Sequence, residues 1–398
     1  MTEGFAWLED AAVKRVISAY EKAGHELRFV GGCVRDSLLG RPVTDLDACS
    51  PCPPELTMTF LKEAGIKVIP TGIDHGTITA ITNGRPFEIT TLRKDTSCDG
   101  RHAEVAFTTD YAEDAARRDF TMNALYCDAA ANITDFHDGI ADAKAGRIHF
   151  IGDASDRIQE DGLRMLRLFR FYATHGKASL APEALEACRA HAAMLQQLSS
   201  ERIQQEMVKL LKAPAPYAAL SALQSCALDT YLWKHALPLD ALATLLPLEA
   251  EYGAPPDAML RLACILGEDK AAREAVITRW KLSNKDATRL THFCYATMEG
   301  DAATWAKAEM ILHGRDLAIA TALCVAARGE MPHEMLRNIK LILQEWEIPT
   351  FPISGKDLIA LGMAQGEDMG TCIKALKQKW ADSDYTVNKE ELLKHLGQ

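Results

Sequence analysis

The sequence predicts an α+β protein, with a mixed-sheet head at residues 1–150 followed by an all-helical remainder. Strand signals are confined to the head, where short β-branched and aromatic runs end at glycine or Asn-Gly. From Gly152 onward, segments rich in Ala, Leu, Gln and Glu alternate with Pro- and Gly-containing breaks. Because 398 residues are too many for one hydrophobic core, we expect a helical neck at 151–215 and a helical body and tail at 216–398.

The head is predicted to begin with one helix, which is followed by several strands. Apolar residues from Trp7 to Tyr20 recur at helical spacing, which predicts one amphipathic helix, and the acidic residues among them exclude a secretory signal. HELRFVGG and IKVIPTG each read as a strand that runs into a turn. TITAIT and RPFEITTLR are predicted to form a β-hairpin, since Asn83-Gly84 between them is a strong hairpin signal.

Composition limits the class of protein and its partners. No run of about 18 apolar residues occurs, so we expect no membrane partner. Eleven scattered cysteines fit a reducing cytoplasmic compartment, and we interpret the Cys49-x-x-Cys52 pair as incidental because no second pair lies at zinc-site spacing. The net charge of −11 means that any polyanion must be held by a local basic patch.

The stretch FVGGCVRDSLLGRPVTDLDAC, residues 29–49, contains a glycine pair at the start of a short predicted helix. Gly31 and Gly32 follow a strand and precede the helix Val34–Leu39, which predicts exposed backbone N–H groups that can cradle a phosphate. Arg35, one turn into the helix, can add a charge-assisted contact. The alternative is that the two glycines only form a tight turn.

Two aspartates later in the same stretch indicate a metal ion. Asp45 and Asp47 project from one face of an extended segment, where two carboxylates repel each other unless a cation lies between them. Mg²⁺ is the expected cation, because it combines one or two carboxylates with phosphate oxygens of a substrate. Glu88 is the candidate third carboxylate, with an exposed strand glutamate as the alternative. Together these residues predict a site for a nucleoside triphosphate with Mg²⁺.

Three motifs of this chain occur in an order typical of one family. GGCVRDSLLG…DLD, RRDFTMNAL at 117–125 and EDGLRMLRLFRF at 160–171 resemble the class II tRNA nucleotidyltransferase and bacterial poly(A) polymerase family. RKDTSCDGRH at 93–102 and FHDGIADAKAGRIHFIGD at 136–153 also match that family. The resemblance implies a polymerase-β-like nucleotidyltransferase head and template-independent addition of CCA to the tRNA 3′ end from CTP and ATP, with release of pyrophosphate.

The resemblance also implies roles for individual residues. Asp45 and Asp47 look like the metal-binding pair, with Gly32 and Arg35 on the triphosphate. Arg118 and Asp119 would contact the nucleotide, and Asn123 would orient the ribose. In isolation, Arg117 and Arg118 would instead be interpreted as an ion-paired helix start.

The motif at 160–171 suggests how a base is selected. Asp161 and Arg164 stand at positions i and i+3 of a predicted helix, with Arg167 and Arg170 further along. A carboxylate accepts and a guanidinium donates, so the pair matches the amino donor and ring-nitrogen acceptor that cytosine and adenine share, and it rejects uracil and guanine. The alternative is an exposed salt-bridged face, with apolar residues of the motif packed beneath it.

Several interpretations remain open at this level. A poly(A) polymerase or a partial C- or A-adding enzyme would carry the same motifs, and a protein of another class, a catalytically idle RNA-binding descendant, is a further alternative. Arg202 and Glu206 form an i, i+4 pair predicted to brace the neck. The body and tail are expected to bind RNA, with lysines 374, 377 and 379 as one basic patch. No protein partner is inferred.

Overall fold

The computed structural model describes residues 3–98, 103–364 and 366–394. The last four residues of the motif at 93–102, residues 99–102, lie outside the described residues. The described chain divides into two compact units, Met1–Ala236 with Ala271–Leu282 and Leu237–Lys270 with Ser283–Gln398. The boundaries predicted near 150 and 215 both fall inside the first unit.

The head is built on a mixed sheet, as predicted. Seven strands lie in the order β3-β4-β5-β2-β1-β8-β9, and every neighbouring pair is antiparallel except β2 and β5. Strands β6 and β7 form a separate two-stranded sheet. The strands are β1 Arg28–Val30, β2 Asp47–Ser50, β3 Lys67–Gly72, β4 Thr77–Thr82, β5 Arg85–Thr91, β6 Arg93–Cys98, β7 Ala103–Phe107, β8 Leu125–Cys127 and β9 Ile133–Asp135.

The predicted hairpin is confirmed between β4 and β5. Asn83 and Gly84 both have positive φ, 51° and 74°, which a tight two-residue connection with the right-handed strand twist requires. The hairpin pairs Thr79 with Glu88, and this register fixes the position of Glu88 along β5 relative to β4.

Helices flank this sheet. The single N-terminal helix predicted from the apolar spacing is wrong: a 3₁₀ helix at Glu3–Glu9 ends before Asp10, whose side chain accepts a 2.7 Å hydrogen bond from Ala12 N and so starts a new helix. Two more 3₁₀ turns lie at Ile73–His75 and Thr121–Asn123. The α-helices of the head are α1 Ala11–Ala23, α2 Gly32–Leu38, α3 Pro54–Glu63, α4 Tyr111–Ala116 and α5 Gly139–Ala145.

From Ala154 onward the described regular elements are all helices, which confirms the predicted class. Ser199 caps α9 as its spacing indicates, since its side chain accepts from Arg202 N. Inward residues of α7 are fully buried against α9 and α10, so this helix is held in place from several sides. The remaining helices of the first unit are α6 Ala154–Glu160, α7 Leu163–His175, α8 Pro182–His191, α9 Ser200–Lys212, α10 Pro216–Ser225 and α11 Asp229–Trp233, with a 3₁₀ turn at Ala192–Gln197.

The second unit is helical throughout its described residues. Its last helices enclose a small core around Leu358, Leu376 and Trp380. None of the described helices is long and apolar enough to cross a bilayer. The helices are α12 Asp240–Tyr252, α13 Ala258–Leu266, α14 Lys270–Arg279 (mostly in the first unit), α15 Asn284–Tyr295, α16 Ala302–His313, α17 Arg315–Ala327, α18 His333–Glu345, α19 Gly355–Ala360, α20 Glu367–Asp382 and α21 Lys389–Lys394.

Candidate active site

Two predicted carboxylates meet at a parallel strand pair. β2 pairs with β5 in a register that sets Asp47 directly beside Glu88, and both residues line a cavity of about 500 Å³. All three predicted carboxylates, Asp45, Asp47 and Glu88, are exposed. Asp45 lies two residues before Asp47 and outside the cavity lining, and Thr44 Oγ1 donates to its carboxylate at 3.2 Å. The register therefore places Glu88 where a third carboxylate was predicted.

The electrostatics of Asp47 reflect this crowding. Although Asp47 is exposed, the surrounding protein removes part of its hydration, and this desolvation raises its pKa. The negative charge of Glu88, and after it that of Asp45, acts in the same direction, and Arg118 opposes them. Carboxylates brought together in this way are stabilised by a cation between them. The set offers only hard oxygen donors, which suits a divalent metal ion of the magnesium type.

The glycine pair opens α2 as predicted, in a conformation that needs glycine. Gly31 has φ +77°, and a Cβ there would lie 3.5 Å from Asn123 O and 3.7 Å from Arg118 Nη1. Its N–H is not exposed, however, because it donates to Leu125 O at 3.0 Å. Gly31 and Gly32 stand next to Val30, which lines the cavity, and are not themselves part of the lining.

Arg35 and Asn123 bind each other and do not line the cavity. Arg35 is 6% exposed; its Nη1 donates to Asn123 Oδ1 at 2.6 Å and its Nε donates to Asp36 at 2.9 Å. A buried guanidinium with these partners holds the motif 117–125 against α2. In this structure Arg35 is thus placed to position Asn123 and not to meet a triphosphate directly.

Asp119 connects that motif to the neck. Asn123 Nδ2 donates to one carboxylate oxygen of Asp119 at 3.1 Å, and Arg167 Nε donates to the other at 2.7 Å. Burial acts to raise the pKa of Asp119, but Arg167 and Asn123 outweigh it, so the pKa is lowered and the carboxylate stays charged. Arg170 binds Glu206 on α9 at 2.5 Å and lies outside the cavity lining.

Arg117 and Arg118 are ion-paired, as the alternative interpretation predicted, and they also line the cavity. Each binds the carboxylate of Asp114, at 2.9 Å and 3.1 Å. Asp114 is 1% exposed and also accepts a hydrogen bond from Tyr126 OH at 2.8 Å. Burial acts to raise its pKa, yet the two arginines keep the pKa lowered. The sequence analysis did not identify Asp114, although its i, i+4 spacing to Arg118 could have indicated the ion pair. No local pattern indicates the contact of Tyr126 with Asp114.

Asp161 and Arg164 both reach the cavity, but not as neighbours on one helix. Asp161 has extended backbone angles after the last residue of α6, whereas Arg164 belongs to α7, so the predicted i, i+3 helical pair is wrong. Asp161 accepts from Leu163 N at 3.0 Å and from Arg202 Nη2 at 2.7 Å. Arg164 donates to the carbonyls of Arg157 and Arg117 and to Glu160.

Arg202 is a cavity residue that sequence reasoning assigned to the neck. The predicted Arg202–Glu206 brace is wrong, because Arg202 binds Asp161 while Glu206 binds Arg170. Within the neck, these two side chains thus connect α9 to Asp161, at the end of α6, and to Arg170 on α7. No spacing rule could have indicated a partner 41 positions away.

The cavity is basic although the chain is acidic. Six arginines face four carboxylates in its lining, which is the local patch that the net charge of −11 required. The residues that line it are Val30, Asp47, Ala48, Thr77, Glu88, Thr90, Arg93, Arg117, Arg118, Asp119, Asp161, Leu163, Arg164, Arg167 and Arg202.

A second cavity in the first unit is larger, about 730 Å³, but has different chemistry. Its polar residues include Asp142, Arg147 and His149, and none of the predicted site residues lines it. The smaller cavity is the candidate active site, because it alone of the two contains the paired carboxylates.

Comparison with known proteins agrees with this geometry. Residues 27–149 match the family described as the poly A polymerase head domain, and residues 179–238 match one described as a probable RNA and SrmB-binding site of polymerase A. The human protein named CCA tRNA nucleotidyltransferase 1, mitochondrial, is 33% identical, with 98% of this chain and 91% of the relative covered. This chain belongs to the CCA-adding tRNA nucleotidyltransferase family.

Bacterial members of the CCA-adding family show similar likeness. The CCA-adding enzyme of Levilactobacillus brevis is 31% identical, with 91% of each chain covered. A crystal structure of the Bacillus stearothermophilus CCA-adding enzyme in complex with CTP has a TM-score of 0.75 and 28% identity, covering 99% of this chain and 98% of that one. The family resemblance and the fold class that the motifs predicted are confirmed.

Proposed function

We propose that this protein adds C and A residues, as CCA, to the 3′ end of tRNA from CTP and ATP and releases pyrophosphate. The observation that carries the proposal is the cavity in which the Asp47–Glu88 pair faces an arginine-rich wall. Relatives that cover nearly the whole chain bear the name of this activity. A protein that only bound RNA would have no use for carboxylates that repel one another.

Asp45, Asp47 and Glu88 are the residues that would hold Mg²⁺ in this site. When bound, Mg²⁺ supplies positive charge to the phosphate oxygens where negative charge develops during nucleotidyl transfer. The acidic side chains provide the oxygen donors, and Asp47 must be ionised to serve as one. Because the pKa of Asp47 is raised, a proton competes with the metal ion at a higher pH than it would at an ordinary aspartate.

The arginines of the cavity provide the counter-charge for a triphosphate. Arg118 is held by Asp114 and Tyr126, and Arg167 is held by Asp119, so each guanidinium is oriented before a nucleotide arrives. Such preorganised donors bind phosphate oxygens without the cost of ordering flexible side chains. Arg35 and Asn123 act through Asp119 as positioning residues.

Asp161 and Arg164 are proposed to select the base by hydrogen bonding. Each carboxylate oxygen of Asp161 accepts one hydrogen bond in the structure, which leaves lone pairs for an exocyclic amine. Arg164 uses three donor contacts, and a guanidinium has five N–H groups, so two remain for a ring nitrogen. Cytosine and adenine present that combination, whereas uracil and guanine leave the pair unsatisfied.

The neck and the second unit are proposed to hold the tRNA. In functional terms we divide the chain into the catalytic head at 1–150, the neck with the base-selecting motif at 151–215, and an RNA-binding body and tail at 216–398. Lys374 and Lys379 on α20 are exposed and offer contacts to phosphates. We further propose a reducing, cytoplasmic location, since the ten described cysteines are all free and nine are buried.

One assay tests the proposed reaction. Purified protein is given labelled tRNA lacking its 3′ CCA, with Mg²⁺ and each nucleoside triphosphate alone or with CTP and ATP together. We expect CTP alone to add two residues, and CTP with ATP to add three and then stop. A long A tract would identify a poly(A) polymerase, and C or A addition alone would identify a partial enzyme. No extension under any condition would overturn the proposal in favour of an RNA-binding protein.

A further inference from the structure

A second set of metal-binding side chains lies in the helical second unit, far along the chain from the predicted active-site motifs. His292 on α15 and Glu309 and His313 on α16 each offer one ligand atom, and these atoms all lie within 4.8 Å of one another. Glu309 and His313 are at positions i and i+4, so they share one face of α16. The imidazole rings of His292 and His313 have centroids 4.2 Å apart.

One oxygen of the Glu309 carboxylate lacks a hydrogen bond among the described residues. Its Oε2 is buried and accepts no hydrogen bond from any residue that the structure describes, although His292 Nε2 lies 3.4 Å away. A buried carboxylate oxygen without a partner is costly, because burial removes its water and nothing replaces it. A cation between the three side chains would supply the missing interaction.

His292 also contacts a neighbouring helix through its Nε2 atom. Its Nε2 lies 2.9 Å from the Oγ1 of Thr321, a fully buried residue of α17, and that hydroxyl donates its proton to Leu317 O at 2.8 Å. The hydroxyl proton is thus already committed, so the threonine oxygen accepts the Nε2 proton of His292. Nε2 is also the nitrogen that faces Glu309, so an ion bound by Nε2 would replace this contact once that nitrogen has lost its proton.

We propose that His292, Glu309 and His313 form a zinc-binding site that links α15 to α16. Two imidazoles and one carboxylate are a ligand set typical of Zn²⁺, with a water molecule in the fourth position. Tetrahedral coordination at about 2.0–2.1 Å places ligands roughly 3.3 Å apart, so side-chain rotations would bring the three groups inward. His313 is exposed at the end of α16, which gives the ion an open route of entry.

The site would act separately from nucleotide addition by joining two helices. α16 packs against α17 and α18, α15 packs against α13, and α13 already packs against α17, so an ion between α15 and α16 would add a further connection within the second unit. Binding to the folded state alone stabilises it by mass action. Mg²⁺ would not occupy the site in preference, because it favours oxygen ligands over imidazole.

The test uses the full-length protein, stripped with a chelator and kept in excess Mg²⁺ so that the head carboxylates are supplied. Titration with ZnCl₂ is followed by calorimetry and by thermal unfolding, and Co²⁺ is used as a coloured probe of coordination geometry. We expect one Zn²⁺ per chain, a rise in Tm of about 5 °C, and a tetrahedral Co²⁺ spectrum without thiolate bands.

Variants identify the ligands. His313→Ala, whose side chain is exposed, and Glu309→Gln should both lose the stoichiometric Zn²⁺ and the Tm rise while keeping the fold by circular dichroism. His333→Ala removes an exposed histidine of α18 and serves as the matched control that keeps both. Equal Zn²⁺ binding in wild type and His313→Ala, a Co²⁺ spectrum with thiolate bands, or no stoichiometric binding by wild type would each overturn the proposal.

Discussion

The two units of this protein use arginine and carboxylate side chains in opposite ways. In the second unit, Arg261 and Glu249 are 5% and 4% exposed and bind each other at 2.6 Å and 3.0 Å, enclosed by apolar helices. In the first unit, an open cavity is lined by ion-paired arginines and by Asp47 and Glu88, which lie side by side on neighbouring strands. The enclosed pair is matched internally, whereas the cavity brings two like charges together.

The pKa shifts do not simply follow the two units. Burial raises the pKa of Glu249 and its one arginine does not fully offset this, whereas Asp114 and Asp119 have lowered pKa values because arginines and other donors outweigh burial. Asp47 differs from both, since desolvation and like charge raise its pKa together. The carboxylate beside Asp47 helps to raise its pKa, and a bound cation would offset that repulsion, whereas Glu249 already has a cationic partner in Arg261.

The largest expected effect comes from removing a carboxylate of the cavity. Asp47→Ala should reduce nucleotide incorporation by on the order of 10³-fold, because a bound metal contributes several kcal/mol to transition-state stabilisation. Single-turnover incorporation of CTP into tRNA measures the effect, and thermal unfolding checks the fold. Glu55→Ala, an exposed acid of α3, is the control. Near-normal extension by Asp47→Ala would contradict the metal-site proposal.

In the enclosed cluster a single truncation should affect stability and spare the chemistry. Arg261→Ala is expected to lower the free energy of unfolding by about 3–5 kcal/mol, since it leaves Glu249 buried without its charge partner. Urea unfolding measures the loss, and incorporation per folded molecule should not change. The double variant Arg261→Met with Glu249→Leu should regain most of the stability. A single variant as stable as wild type would remove the distinction between the two clusters.

The choice of nucleotide should change only when residues of the cavity are substituted. Asp161→Ala and Arg164→Ala should each reduce discrimination of CTP and ATP against UTP and GTP by ~10- to 100-fold, the scale of a lost specific pairing. Single-turnover incorporation of all four nucleotides gives the ratios. Arg189→Ala, an exposed arginine of α8, should leave them unchanged. If all three variants keep the parental order of preference, the side chains at 161 and 164 do not select the base.

The smallest effect concerns the stability of the metal-free protein. Because the pKa of Asp47 is raised on folding, its ionised form destabilises the folded state, fully so at pH above the folded-state pKa. Asp47→Asn in the presence of a chelator should therefore raise Tm at pH 7 by up to about 2 °C, and the gain should shrink as the pH falls. Differential scanning calorimetry from pH 8 down to pH 4, close to the ordinary pKa of aspartate, measures it. A lower Tm at pH 7 would mean that the carboxylate is satisfied without metal.

Local patterns in this chain predicted many of its elements. The Asn83-Gly84 hairpin, the cap at Ser199 and the helical second half follow from turn geometry, hydrogen bonding to free N–H groups and apolar spacing, all of which act within a few residues. The order of the motifs was enough to indicate the family. The N-terminal helix was misjudged because apolar spacing continues across Asp10, where a side-chain cap starts a new helix.

The partners of the site residues were decided by packing between elements. The strand register that sets Asp47 beside Glu88, and the contact of Arg202 with Asp161, join positions about 40 residues apart. The cluster of His292, Glu309 and His313 likewise forms only where α15 meets α16. Periodicity predicts which face of a helix or strand a side chain occupies. Which other element covers that face depends on how all the elements pack into one core, and local sequence patterns do not reveal this packing.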